Sequence, residues 1–309
     1  MNNTSVATVM NHSKKRSKPK KTLANVLTYV VLIAYAVIQM FPFAIIIITA
    51  LSKNEFVMSE MKFQIPTFKD VTMQNFIDVF TDTRMLIRFS DGTRVNGLIR
   101  GFVNTMWQVL PTTLIGLFIS GLAAYAYAKM EFIGKKTMYA IQIAIIALPM
   151  GTLGVPTYLF YNSLGLVGTI VPIMVPGMFG GAVTVFYLTQ YFRSIPTSVV
   201  EAAKIDGLNY FSIYLIIMIP LAVPAFMAQG ILSFVGGYNG YMGALLYLSD
   251  KPELFPLQLA LRRANSRYSA LQPGNVCANT MISMLPLIII YIIGRKQFKT
   301  GITGGAVKG

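Results

Sequence analysis

Long apolar stretches alternate with short charged ones along the whole chain. Val26–Leu51 is apolar over 26 residues, Gly101–Ala128 is uncharged over 28, and Asn275–Gly294 is uncharged over 20. No charged residue falls between Thr137 and Phe192, nor between Gly207 and Ser249. A membrane-crossing helix needs about 20 predominantly apolar residues. The pattern therefore predicts an all-α integral membrane protein with six spans. The second is Gly101–Ala128. The third, Thr137–Tyr161, is interrupted by Pro149 and Pro156, and the fourth, about Leu166–Leu188, has Pro172 and Pro176 near its start. The fifth is about Ser212–Phe234 and the last is Asn275–Gly294. The run Gly236–Gly243 reads as too glycine-rich for a stable helix. After Gly236 only 13 uncharged residues remain before Asp250, too few for a seventh span.

Between the spans, the chain divides into a basic arm (1–24) expected to be disordered, a first span (25–51) and a polar loop (52–100). A five-helix core (101–294) and a basic tail (295–309) follow. In the loop, Met73–Phe80 predicts a short amphipathic helix and Asp91-Gly92 a turn. At 49 residues the loop is long enough to predict structure or function of its own.

Composition supports the membrane reading. Of the 309 residues 54% are hydrophobic and 12% charged, roughly half the charge of soluble domains. The net charge of +15 sits at the ends and in the loops, so it points to topology and to membrane lipid, not to nucleic acid. With the N-terminus inside, Lys and Arg divide 15 inside to 11 outside, and acids 3 to 8. That direction follows the positive-inside rule and places both termini in the cytoplasm. One histidine (His12, in the arm) and one cysteine (Cys277) exclude histidine-based catalysis, an internal disulfide and a clustered metal site. No P-loop motif is present, so the chain itself holds no nucleotide in that way. No Asp, Glu, Lys or Arg falls inside a predicted span, which disfavours coupling to protons.

One polar island stands out, Pro196–Pro220, between two uncharged runs. Ser198 is a candidate N-cap, with Glu201 three residues on to close a capping box. Ala202 and Ala203 favour helix, Gly207 suits the position past its end, and a new helix starts near Asn209 or Ser212. Local chemistry alone allows a plain helix cap and stop. The spacing says more. Glu201-Ala202-Ala203, Gly207 three residues later, then Ile217-Met218-Ile219-Pro220 resembles the EAA signature of ABC-importer permeases, departing from it only at Ile219, where Leu is usual. The fuller EAAKIDG, the GLAAYAYAKM run and the tail GRKQFKTGITGGAVKG are similar to the maltose-type carbohydrate branch. Tyr238-Asn239 stands where that branch commonly has Trp-Asn.

The resemblance implies a type I importer (MetI-like) permease fold in a bacterial inner membrane. It also implies a coupling helix at 196–208 that docks on a cytoplasmic ATPase. Glu201, Ala202, Ala203, Asp206 and Gly207 are the expected coupling residues. The implied partners are a second homologous permease chain, a dimeric P-loop ATPase that binds the ATP and magnesium, and an external solute-binding protein. The expected substrate is a sugar or oligosaccharide. Asn104, Gln108, Gln142, Tyr158, Gln229 and Asn239 are the candidate path residues, because amides and hydroxyls pair with sugar hydroxyls; helix–helix hydrogen bonding is the competing role for each. The chain itself is expected to be no enzyme. Three other readings stay open. These are an importer for a non-sugar solute, an ATP-independent pore or secondary transporter, and a membrane anchor for a cytoplasmic partner.

Overall fold

A computed structural model describes residues 19–58, 66–89, 91–148, 150–268 and 272–304. Most of the basic arm (1–18), Glu60, Pro149 and the last residues of the tail lie outside the described residues.

In chain order the helices begin with α1 (Pro19–Ala50), α2 (Asn54–Met58) and α3 (Gln74–Thr81). A two-stranded hairpin, β1 (Leu86–Arg88) and β2 (Arg94–Asn96), precedes α4 (Gly97–Lys129). Then come α5 (Lys135–Ile146), α6 (Gly154–Ser163), α7 (Val171–Met178) and α8 (Ala182–Ser194). The elbow helix α9 (Thr197–Ile205) leads to α10 (Tyr210–Ile213), a π turn, α11 (Ile219–Leu221) and α12 (Val223–Asn239). The chain closes with α13 (Met242–Leu248), α14 (Leu257–Arg267) and α15 (Pro273–Gly304).

Among the described residues, four helices are long and apolar enough to cross a membrane, and six if each bent pair is one span. The bent pairs are α5 with α6, turning by 85°, and α10–α11 with α12, turning by 82°. The second bend has clear causes. Residues 214–218 form the π turn, Pro220 and Pro224 cannot donate to the helix ladder, and Ala222 leaves helical geometry between them.

Several boundaries differ from the sequence reading. The first helix starts at Pro19, inside the arm expected to be disordered, because Pro suits a helix start and Lys propagates one. The last helix runs ten residues past Gly294 into the expected tail; Arg, Lys and Gln there are good helix formers. Gly236 and Gly237 lie within α12, which ends only at Asn239. Packing explains this: a Cβ on Gly237 would sit 2.8 Å from Val109 Cγ1, so α12 is drawn against α4 where glycine permits close approach. The fourth span is not one straight helix but breaks at Phe179–Gly181, with Gly180 at φ +90°.

The spine is α4, with α7, α8, α12 and α14 packed along it, and α15 packs on α1, α3 and α12. Two apolar cores divide along its length. Leu98 and Val109 join Phe234, Tyr238, Leu257 and Leu261 near its start. Ala124 and Tyr125 join Leu188, Phe192, Val200 and Tyr214 near its end. The lipid-facing residues of α1 remain exposed on the outside of the bundle.

The hairpin end is tied by a knot of amides. Asn54 Nδ2 donates to Asn275 Oδ1 at 2.8 Å and to Asn75 Oδ1 at 3.2 Å. Asn75 Nδ2 donates to the Ala50 and Ser52 carbonyls, and Asn275 Nδ2 to Asp78 Oδ2 at 2.9 Å. The predicted turn at Asp91-Gly92 is the tip of the hairpin, with Gly92 at φ +86°. The loop after the first span is thus a built cap.

Candidate functional site: an elbow and a neutral cavity

The island Pro196–Pro220 folds as a helix, a turn and a second helix. α9 starts at Thr197, so Ser198 sits inside it and no side chain caps its N-terminus. The expected capping box is therefore absent: Pro196, with extended ψ, already turns the chain into the helix two residues earlier. The C-terminus closes as expected for glycine. Gly207 has φ +82°, the Leu208 amide donates to the Ala203 carbonyl at 3.0 Å, and the Gly207 amide to Lys204 at 3.0 Å. That pair of bonds is a Schellman cap. Asn209 then caps α10 by accepting from the Ser212 amide at 2.8 Å.

The elbow has two faces. Val200 and Ala203 are buried against the bundle, while Ser198, Glu201, Ala202 and Ile205, spaced for one helical face, are exposed. Ala203 thus gives close approach to the chain's own body, and Ala202 gives it to the outside. Glu201 and Asp206 are exposed and form no ion pair among the described residues. Ile205 is 87% exposed, an apolar side chain projecting beside them. Sequence reasoning missed it; the i, i+4 relation to Glu201 was the available signal.

Two anchors hold the elbow to the spine. Lys129 Nζ donates to the Ile195 carbonyl just before α9. After it, the Tyr214 hydroxyl donates to the Phe118 carbonyl at 2.8 Å, with its ring stacked on Tyr125. The segments on either side of α9 are thus tied to the end and the middle of α4.

Beside α4 lies a cavity of about 470 Å³ between α7, α8, α12 and α13, within the roughly 300–1,000 Å³ of small-molecule sites. Its walls are glycines and small polar groups, including Gln108, Thr112, Thr113, Ser120, Thr184 and Ser233, and no described lining residue is charged. Near its wall backbones meet: a Cβ on Gly116 would lie 2.3 Å from the Gly177 carbonyl oxygen. The Gly181 amide donates to Ser120 Oγ at 3.2 Å.

Of the six candidate path residues, Gln108 lines this cavity. Its Nε2 also donates to the Leu254 carbonyl at 3.0 Å. Asn104 Nδ2 donates to the Glu253 and Phe255 carbonyls at 2.8 and 3.0 Å. These amides pair with loop carbonyls that burial would otherwise leave unsatisfied. Gln229 is buried and accepts from Thr184 Oγ1 at 3.4 Å. Gln142 is half-buried on α5, and Tyr158 stacks on Tyr247 at 6.1 Å. Asn239 is exposed at the end of α12, beside the lining residue Gly240. Periodicity locates polar groups in spans, but which face the same void depends on helix packing.

Comparison with known proteins agrees with this arrangement. The arabinooligosaccharides transport system permease protein AraQ of Bacillus subtilis is 30% identical over 67% of this chain and 73% of that protein. The polygalacturonan/rhamnogalacturonan transport system permease protein YtcP of the same organism is 27% identical, covering 94% of this chain and 100% of that one. In fold, a chain of a bacterial ABC transporter involved in import of the acidic polysaccharide alginate superposes with a TM-score of 0.76. It is 23% identical, and the match covers 90% of this chain and 98% of that one. Residues 85–298 match the family described as binding-protein-dependent transport system inner membrane component, and the chain belongs to that family.

Proposed function

We propose that this chain is the permease subunit of a bacterial ABC importer for a sugar or oligosaccharide, working with a second permease chain and an external solute-binding protein. In this reading ATP and magnesium are held by a dimeric P-loop ATPase. The elbow carries the proposal: a short, capped helix, packed on the spine by one face, presents Glu201, Ala202 and Ile205 on the other. An exposed apolar side chain flanked by free charge, on an otherwise lipid-facing protein, suits a cytoplasmic protein partner.

The two ends of the bundle support an orientation. The hairpin and amide knot lie at one end of the bundle and the elbow at the other; α1 runs into the knot and α15 runs out of it, so the start of α1 and the end of α15 both lie away from the knot. With the elbow cytoplasmic, both termini are cytoplasmic, and the charge distribution agrees. Closure of the ATPases then pulls α9, and the Lys129 and Tyr214 anchors pass that displacement to α4, which forms one wall of the cavity. The helix only biases two states of the bundle; the energy comes from the nucleotide. A neutral, hydroxyl-rich and amide-bearing cavity suits sugar hydroxyls.

The test is purification of this chain from its native membrane, wild type beside Gly207→Val. Gly207 requires a left-handed backbone, whereas a Cβ there would meet nothing within 4 Å. Valine should therefore distort the elbow and leave the bundle intact. A P-loop ATPase and a second permease chain retained by wild type, with the ATPase lost from Gly207→Val, is the expected result. Absence of an ATPase from both preparations overturns the reading.

A further inference from the structure

Beside residues that line the cavity stands one cation whose setting differs from its neighbours'. Helix α14 bears three arginines, Arg262, Arg263 and Arg267, and no acid. Two are committed locally. Arg263 is half-buried with its guanidinium over the Phe255 ring at 5.7 Å, and Arg267 donates to the Arg84 carbonyl. Arg262 is exposed, lies over the Tyr241 ring at 5.6 Å from its centroid, and forms no ion pair among the described residues.

Its position is set by the cavity wall. Tyr241 and Asn239 flank Gly240, and Gln258 follows Pro256 by two residues; Gly240 and Pro256 both line the void. Gln258 Nε2 donates to Asn239 Oδ1 at 3.4 Å, which brings the two segments together at one edge. A Cβ on Gly236 or Gly243 would meet nothing within 4 Å, so space beside this edge is open. The edge therefore offers an aromatic face, two amides and a guanidinium held over that face.

We propose that Arg262, with Tyr241, Asn239 and Gln258, forms a reading site for the carboxylate of an acidic sugar at the mouth of the cavity. The preferred substrate is accordingly a uronate-bearing oligosaccharide. The proposal rests on the carbohydrate reading above and narrows it. A guanidinium presents a planar fork that pairs with a carboxylate through two parallel bonds, and the ring beneath limits the orientations it must give up on binding. The cavity beyond has no charge to make that distinction. Its hydroxyls and amides bind sugar hydroxyls whether or not the ring carries an acid. Discrimination by charge thus falls to the mouth, where the exposed arginine is not already neutralised.

Uptake in native cells lacking this chain and complemented with wild type, Arg262→Gln or Arg262→Lys tests it. The probes are labelled digalacturonate and its methyl ester, the same sugar with and without the charge. Wild type should take up the acid in preference to the ester. Arg262→Gln should raise the apparent KM for the acid about tenfold, the effect of losing a charge-assisted hydrogen bond, and leave the ester unchanged. Arg262→Lys should recover part of the loss. An unchanged ratio of acid to ester in Arg262→Gln overturns the proposal and leaves the carbohydrate reading standing, as does uptake of the ester alone by wild type. An equal fall for both probes also overturns it and points to docking of the binding protein at this helix. Uptake of neither probe by wild type, with other sugars carried, overturns the acidic-substrate assignment. Uptake of no sugar at all overturns the carbohydrate reading with it.

Discussion

The Tyr214 hydroxyl reaches the Phe118 carbonyl at 2.8 Å across 96 positions of sequence, and its ring stacks on Tyr125 at 5.9 Å between centroids. This contact joins the segment after the elbow to the middle of the spine. Tyr214→Phe keeps the ring and removes one hydrogen bond, so it should cost about 1 kcal/mol of stability. Tyr214→Ala empties a fully buried site and should cost about 3–5 kcal/mol. Thermal melting in detergent reads both. If the contact also transmits motion, Tyr214→Phe should lower solute moved per ATP hydrolysed while stability barely falls; an unchanged ratio removes Tyr214 from the coupling path.

Ile205 predicts the opposite separation. It is 87% exposed and contributes nothing to the apolar cores, so Ile205→Asp should leave the stability within about 0.5 kcal/mol of wild type. Retention of the ATPase on purification should fall strongly, because a carboxylate would then be buried at the interface. Full retention would place the docking contact elsewhere on α9.

Where α4 crosses the break between α7 and α8, glycine is a steric requirement. A Cβ on Gly116 would overlap the Gly177 carbonyl oxygen at 2.3 Å, and one on Gly180 would meet Ser120 Oγ at 2.4 Å with φ +90° besides. Gly116→Val should destabilise by about 1–3 kcal/mol or more through overpacking. Gly151→Val is the control, since a Cβ there meets nothing within 4 Å. Equal melting temperatures for the two variants would refute the close crossing.

At the hairpin end, Arg84 pairs with Asp82 at 2.6 Å and its Nη1 donates to Gln272 at 2.8 Å. The side-chain hydrogen bond from Arg84 holds the Asp82 carboxyl below its ordinary value of 3.8. A lowered folded-state pKa gives stability that is fully present above the unfolded value and is lost as pH falls through the folded one. The melting difference between wild type and Asp82→Asn should thus be constant from neutral pH down to the ordinary carboxylate range and close below it. A difference that closes above that range would contradict the clamp.

Much of this architecture was legible in the chain. Uncharged runs of 20 residues or more have one physical outcome in a bilayer, where every backbone polar group must be paired within the segment. The elbow was equally readable, because Gly207 and Asn209 act through local backbone geometry: one adopts positive φ, the other caps the next helix by accepting from the Ser212 amide three residues on. Helix ends were less so. Pro196 displaced the start of α9 from Ser198, and α12 stayed helical through Gly236-Gly237 against propensity where Gly237 packs on Val109.

Tertiary structure alone decided what shares a space. Asn104 and Gln108 lie one helical turn apart, yet Gln108 faces the cavity while the Asn104 amide is spent on the Glu253 and Phe255 carbonyls, 149 and 151 residues away. Arg262 and Tyr241 meet only because α14 folds back over the start of α4. Periodicity along one helix tells which side chains point together; which neighbour they find depends on the crossing of helices. Here those crossings are set by glycines whose missing side chains let backbones touch, and an absent side chain leaves no pattern of its own in the sequence.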